Sequence, residues 1–204
     1  MKKLFSTFLI FFLLSNSTFA LDYSKYNLSD INAIREATKA YQNEFKDKKG
    51  TKEAETEFLK FRDFYYEAVE KQNIRIQLKE PVKLYRNSYY WQARKYTKDY
   101  ADKGLRVDFN GEFYITENNK YLYKNFCSYL NADWCELLKF LSKQDTKRIF
   151  WDSVYVISKD ELVKIINFYK NFDKKYPNFV LNDSIKSIIK DYEKDLKRYP
   201  YLTD

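Results

Sequence analysis

Apolar side chains recur every three or four residues along most of this 204-residue chain. Because an α-helix turns once in 3.6 residues, this spacing places them on one helical face. The clearest face follows Thr51 and consists of Ala54, Phe58, Phe61, Tyr65, Ala68 and Val69. Similar faces before and after it predict a mainly α domain of about six to seven helices.

Capping residues delimit several of these helices. Ser29 is predicted to cap a helix that ends before Gly50, and Thr51 is predicted to cap the next. The short link between them makes the pair an antiparallel hairpin. The sequence Ser-Lys-Asp-Glu at 158–161 is a capping box that opens a later helix, and Asp183 opens the last one. Further helices are predicted at about 83–103, 120–130 and 134–142.

A few segments alternate with a period of two instead. Apolar residues alternate on both sides of Asn110-Gly111, a pair that favours the tight turn of a β-hairpin because both turn positions need a positive φ. Residues 148–157, rich in aromatic and β-branched side chains, are predicted to form a strand that pairs with this hairpin. Residues 74–78 also alternate, which predicts a short strand or an extended connection.

The first twenty residues have the pattern of a secretory signal peptide. Lys2 and Lys3 precede a largely apolar run at 4–14, and Thr18 and Ala20 supply the small residues that a signal peptidase reads. The run is shorter than the about 17–25 apolar residues that span a bilayer. We therefore expect cleavage after Ala20, no stable membrane anchor, and a soluble single domain, 21–204, in the periplasm or outside the cell.

The chain has two cysteines, Cys127 and Cys135. Within one continuous helix they would lie about 12 Å apart, beyond the about 7 Å that a disulfide allows between Cα atoms. Asn131-Ala132 is predicted to break the helix and let the chain fold back. We therefore expect one disulfide in an oxidising compartment. A redox-active pair would favour the Cys-x-x-Cys spacing instead.

The absence of histidine narrows the chemistry most. It excludes a Ser-His-Asp triad, a Cys-His pair and histidine-ligated zinc or haem. Three glycines leave no Gly-rich phosphate loop. We expect no metal and no cofactor. Paired carboxylates could still hydrolyse a glycan, and the candidates that a helix face explains least are Asp108, Glu112 and Asp152.

The charge balance gives little support to nucleic-acid binding. The net charge is +8, and +6 without Lys2 and Lys3. Lysine supplies most of the positive charge, whereas nucleic-acid binders favour clustered arginine for bidentate phosphate contacts. We expect no nucleic-acid partner for an exported chain.

The segment 83–103 combines basic and aromatic residues most densely. Four of its tyrosines form one helical stripe with Ala93 that suits a buried face: Tyr85, Tyr89, Tyr96 and Tyr100. Tyr90 lies outside this stripe between Arg86 and Arg94, and Trp91 lies outside it beside Lys95 and Lys98. Such residues anchor protein interfaces, and aromatic faces also stack on sugars. Alternatively, neighbouring helices cover both faces and the cations only snorkel. The predicted binding residues are Arg86, Tyr90, Trp91, Arg94, Lys95 and Lys98.

These patterns together predict a non-enzymatic protein of the cell envelope that binds a protein partner. A secreted effector or toxin, an envelope enzyme or an assembly component would each fit. The alternative is a protein that binds peptidoglycan or another glycan, or hydrolyses it with carboxylates alone. A structural role without a specific partner is a third reading.

Overall fold

The computed structural model describes residues 21–79, 98–110, 112–145, 150–151, 154–155 and 157–198. Within these ranges the chain forms seven helices and two small antiparallel sheets. The mainly α class with a β-hairpin is therefore confirmed. No helix in the same ranges is both long enough and apolar enough to cross a bilayer.

The first helix, α1, spans Ala33–Phe45, and the second, α2, spans Lys52–Lys79. Helix α2 buries the whole apolar face predicted after Thr51. Helix α1 buries its own residues at helical spacing, Ile34, Ala37, Tyr41 and Phe45. Gly50 between them has a positive φ of 69°. Thr51 caps α2 as predicted, because its hydroxyl accepts a 3.2 Å hydrogen bond from the Ala54 N–H.

The predicted cap of α1 at Ser29 is wrong, since Asn32 occupies the N-cap position. Backbone hydrogen bonds from Asp30 to Asn27 and from Ala33 to Asp30 form turns there instead. The Asn27 and Asp30 side chains also bond to the backbone two residues later. These local bonds compete with the helix and delay its start.

The prediction of a strand or extended connection at 74–78 is also wrong, because α2 continues through it. Polar side chains just before this segment tie the helix to other elements. Gln72 donates through Nε2 to the Leu28 carbonyl at 2.8 Å, and Asn73 Oδ1 accepts from the Ile115 N–H at 2.9 Å. Tertiary contacts here outweigh the strand preference of alternating β-branched residues.

The predicted hairpin is confirmed. Helical residues 98–101 (α3) lead through Gly104, whose φ is 87°, into β1 at Leu105–Asn110. Strand β2, Glu112–Glu117, returns antiparallel with Leu105 opposite Glu117. The turn residue Gly111 lies outside the described residues.

The stretch 148–157 does not form one strand on this hairpin. Its described residues form β3, Phe150–Trp151, and β4, Val154–Tyr155, which pair with each other. In the part of the chain that is described, this ladder is a separate sheet. The chain reverses on itself, so the strand residues satisfy backbone hydrogen bonds within the stretch.

The C-terminal half is helical. Ser158 is the N-cap of one of its helices and accepts a 3.2 Å bond from the Glu161 N–H, as the capping box predicts. The helices are α4 (Asn119–Phe126), α5 (Ala132–Gln144), α6 (Lys159–Lys175) and α7 (Asn182–Arg198).

The two cysteines form the expected disulfide. Cys127 begins a short 3-10 turn after α4, and Cys135 lies in the first turn of α5. The chain folds back between them, so their Cα atoms are 4.5 Å apart. The bond therefore fixes the corner between α4 and α5.

Aromatic rings fill the centre of the core. Phe61 of α2 and Phe126 of α4 have ring centroids 4.5 Å apart, and Phe58 meets Trp134 of α5 edge-on at 5.0 Å. The ring of Tyr41 in α1 contacts the rings of Phe58 and Phe126. The cluster holds α1, α2, α4 and α5 together and sets the positions of their outer faces.

Candidate binding groove

Five of the six predicted binding residues lie outside the described residues: Arg86, Tyr90, Trp91, Arg94 and Lys95. Lys98 is described, and it is exposed on α3. Ala101 and Asp102, within about one helical turn of Lys98, line a groove that sequence reasoning did not find.

This groove has a volume of about 420 Å³ and lies between α1, α4 and the turn after α3. Arg35 and Lys39 of α1 line one side, and Lys120 and Lys124 of α4 line the other. All four side chains are exposed. Asp102 is the one acidic residue among the described lining residues. We call this feature the cationic groove.

The packing of the two helices places these cations at the rim. Helix α1 buries Ile34, Ala37 and Tyr41, so Arg35 and Lys39 fall outside the buried stripe. Helix α4 buries Leu122 and Phe126, which leaves Lys120 and Lys124 outside in the same way. Each basic pair has i,i+4 spacing and therefore occupies one side of its helix.

The floor of the groove is polar and uncharged. Gln42 of α1 donates through Nε2 to the Asn125 carbonyl of α4 at 3.0 Å, which ties the two walls together. Burial raises the pKa of the Tyr121 phenol, although a hydrogen bond with Thr38 and the Arg35 charge lower it in part. The floor can thus offer hydrogen bonds to a ligand without neutralising the rim.

The electrostatics favour an anion. Arg35 donates to the neutral Asn32 Oδ1 at 2.9 Å. Within the described residues, no ion pair engages Lys39, Lys120 or Lys124. Like charges at i,i+4 spacing destabilise a helix slightly, and here two such pairs face each other. A cleft lined by one sign of charge concentrates its field and attracts the opposite sign.

Comparison of the chain with protein-family models, curated proteins and solved structures gives no match. The chemistry of the described residues is therefore the basis for assigning a function.

A second cluster contains a half-buried carboxyl group. Glu117 ends β2 opposite Leu105, and burial raises the pKa of its side chain. The positive charge of Arg62 and a hydrogen bond with Tyr66 offset part of this rise. Arg62 also donates to the Tyr66 hydroxyl at 2.9 Å. Carboxyl groups with a raised pKa stay protonated at a higher pH than usual. They occur both in acid catalysts and in structural clusters.

Asp145 lies near this cluster and has a structural role. Its side chain is only 5% exposed and accepts from Arg106 Nη1 at 3.0 Å. Asn119 Nδ2 and the Lys120 N–H donate to the same carboxylate at 2.8 and 2.9 Å. These bonds join β1, α5 and the start of α4, and so help to position the Lys120 end of the cationic groove.

The carboxylates predicted from sequence do not form a described site. Asp108 lies 3.4 Å from Arg106 in an ion pair, and it is opposite Tyr114 in the hairpin. Glu112 is opposite Asn110, but its side chain is not described, and Asp152 lies outside the described residues. The described part of the chain also holds no group of three or more acidic or cysteine side chains that could bind a metal.

Two sequence signals could have indicated the features that were missed. The first is the presence of two pairs of basic residues at i,i+4 spacing, Arg35 with Lys39 and Lys120 with Lys124. The second is Glu117, which continues the period-two alternation of Phe113 and Ile115 and therefore falls on the apolar face of β2.

Proposed function

We propose that this protein is exported to the cell envelope and binds an acidic segment of a partner protein in the cationic groove, without catalysing a reaction. The observation that carries the proposal is that four exposed cations face one groove with Asp102 as the acidic lining residue. An aspartate or glutamate side chain fits a groove of about 420 Å³ and would pair with the rim cations.

The position of the groove supports a protein ligand rather than a small anion. Asp102 lines the groove and lies one helical turn after Lys98, the described member of the predicted binding segment 83–103. An acidic protein segment can carry several carboxylates along the rim and on toward Lys98, whereas a small anion occupies only one place in the groove. The sequence separately predicts that the aromatic residues of 83–103 anchor a protein partner.

The proposal can be tested by affinity capture with charge-reversed baits. The wild-type protein is used to capture proteins from envelope extract and culture supernatant of the source organism. Lys120→Glu/Lys124→Glu reverses the charge of the α4 side of the groove. Lys186→Glu/Lys190→Glu is the matched control, because it reverses two exposed lysines at the same i,i+4 spacing on α7 and changes the net charge equally.

A partner that binds the wild type and the α7 control but is lost from the α4 variant supports the proposal. Binding should also weaken as salt is added, because the contacts are charged and exposed. Trp91→Ala/Tyr90→Ala tests whether the predicted aromatic residues belong to the same surface. Equal capture by both charge-reversed baits would show that the groove is not the binding site.

A second candidate function is glycan binding or hydrolysis. The observation that favours it is the Glu117 carboxyl group, one oxygen of which is buried without a hydrogen-bond partner among the described residues, and whose pKa burial raises. A protonated carboxyl group can donate its proton to a glycosidic oxygen, and a second carboxylate completes the reaction. Retention on purified peptidoglycan together with release of soluble fragments would support this function. Loss of that release in Glu117→Gln, with binding preserved, would identify Glu117 as the acid.

A further inference from the structure

Helix α2 buries a carboxylate beneath the start of the described chain. Glu57 is 3% exposed, and its Oε1 accepts a 3.2 Å hydrogen bond from the Leu21 backbone nitrogen. Its other oxygen lies 3.3 Å from Lys60 Nζ, but the Lys60 side chain is 48% exposed. A buried carboxylate is costly unless charged partners and hydrogen bonds compensate for its lost hydration. The neutral Leu21 amide supplies one hydrogen bond and no charge.

Leu21 is also the residue that would follow a signal-peptide cleavage site at Thr18-Phe19-Ala20. We propose that hydrolysis of the Ala20–Leu21 peptide bond creates an α-ammonium group on Leu21 that forms an ion pair with the buried Glu57 carboxylate. A signal endopeptidase and one water molecule carry out this step. Water adds across the bond, so Ala20 gains a carboxylate and Leu21 gains an amine that is protonated at neutral pH.

The surroundings of Leu21 suit such a group. The Tyr23 hydroxyl is buried close to the Glu57 carboxylate. Burial raises the pKa of Tyr23, and the Glu57 carboxylate raises it further through its charge and a hydrogen bond. An ammonium has three donors where an amide has one, so it can bond Glu57 and still offer a proton to a neighbouring hydroxyl oxygen.

The segment after Leu21 is fixed well enough to hold the amine in place. The Tyr23 ring stacks on Phe64 of α2 with centroids 5.3 Å apart, and the Leu28 carbonyl accepts from Gln72. A shift of one residue would move the nitrogen by about 3.5 Å, so the pairing depends on cleavage at one bond. Processing would therefore strengthen the attachment of 21–28 to α2.

This inference rests on the proposed export, since only a processed chain carries the Leu21 amine. The full chain is produced in an exporting bacterial host, and the exported product is identified by intact mass and N-terminal sequencing. Three variants are compared with it: Glu57→Gln, a chain with one serine inserted between Ala20 and Leu21, and their combination. Glu67→Gln is the matched control, because Glu67 is an exposed glutamate of the same helix.

The expected N-terminus is Leu21. Its amine should react with an α-amine-selective aldehyde at least about tenfold more slowly in the native protein than in native Glu57→Gln. The insertion and Glu57→Gln should each lower the urea midpoint, and the combination should lower it little further, since both remove the same contact. Glu67→Gln should match the wild type.

Equal labelling rates in the wild type and Glu57→Gln, with Leu21 at the N-terminus, would overturn the ion pair while leaving export and partner binding intact. An exported product whose N-terminus is not Leu21 would overturn the ion pair alone, whereas a full-length chain that stays inside the host cell would overturn the export premise as well. If Glu57→Gln does not fold, an insertion variant that is as stable and as slowly labelled as the wild type still refutes the pairing.

Discussion

The Tyr65 hydroxyl donates a 2.6 Å hydrogen bond to the Gly104 carbonyl oxygen. The same hydroxyl accepts from the Asn118 backbone N–H at 2.7 Å. Gly104 precedes β1 and Asn118 follows β2, so one buried side chain of α2 joins both open ends of the hairpin. The hairpin is thereby fixed to the helical core at the end that lies beside the cationic groove.

We expect Tyr65→Phe to lower the free energy of unfolding by about 2–4 kcal/mol, because it leaves a buried carbonyl and a buried N–H without their partner. Urea unfolding followed by circular dichroism measures the change. Tyr66→Phe is the control: Tyr66 is 44% exposed, and its hydroxyl bonds to the side chains of Arg62 and Glu117 rather than to buried backbone groups. An effect of the same size in both variants would contradict the structural role given to Tyr65.

Gly104→Ala should be clearly more destabilising than Gly50→Ala. Both glycines have positive φ, which costs a side chain about 1–2 kcal/mol. A Cβ at Gly104 would lie 2.6 Å from Ile34 Cγ2, whereas at Gly50 the nearest atom is Asn131 Oδ1 at 3.4 Å. The crowding should add about 1–3 kcal/mol at Gly104 alone. Equal midpoints in urea unfolding would contradict this packing.

Reduction of the Cys127–Cys135 bond should lower the free energy of unfolding by about 2.6 kcal/mol, the chain-entropy value for a nine-residue loop. Thermal and urea unfolding with and without reductant measure the change. Cys127→Ser/Cys135→Ser should unfold like the reduced wild type and should not respond to reductant. A double variant as stable as the oxidised protein would show that the bond does not restrain the unfolded chain.

The stability of the protein should depend on pH through Glu117. Burial raises the pKa of this group above its ordinary value of 4.5, so the folded protein binds the proton more tightly than the unfolded chain. Stability from this source is present below that value and decreases as pH rises through the raised pKa.

Glu117→Gln removes the titrating group, so its stability relative to the wild type should increase as the pH rises from about 4 to about 7. Thermal unfolding across this range measures the difference. Glu67→Gln, which changes an exposed glutamate, should show no such trend. A difference between Glu117→Gln and the wild type that stays constant with pH would show that Glu117 does not titrate in the folded state.

The elements that the sequence predicts well are those that depend on neighbours along the chain. The Thr51 and Ser158 caps act within one helical turn. The pattern around Asn110-Gly111 pairs adjacent strands, and the disulfide closes a local corner. Each of these depends on a spacing of at most about a dozen residues, so the pattern itself contains the information.

The features that were missed depend on distant parts of the chain. The continuation of α2 through 74–78 follows contacts of Gln72 and Asn73 with Leu28 and Ile115. The cationic groove requires α1 and α4 to be neighbours, although Arg35 and Lys120 are 85 positions apart. Helical periodicity shows which face of a helix is buried, but it does not show which helix covers it. The role predicted for the segment 83–103 stays a prediction.

The single disulfide has a consequence for how the chain can be oxidised incorrectly. With two cysteines there is no alternative pairing inside one molecule, so no shuffling step can trap the protein in a scrambled isomer. Every wrong bond must join two molecules, and its rate therefore falls on dilution, while the rate of the correct bond does not. Low protein concentration during oxidation is then enough to favour the native covalent structure, without help from an isomerase.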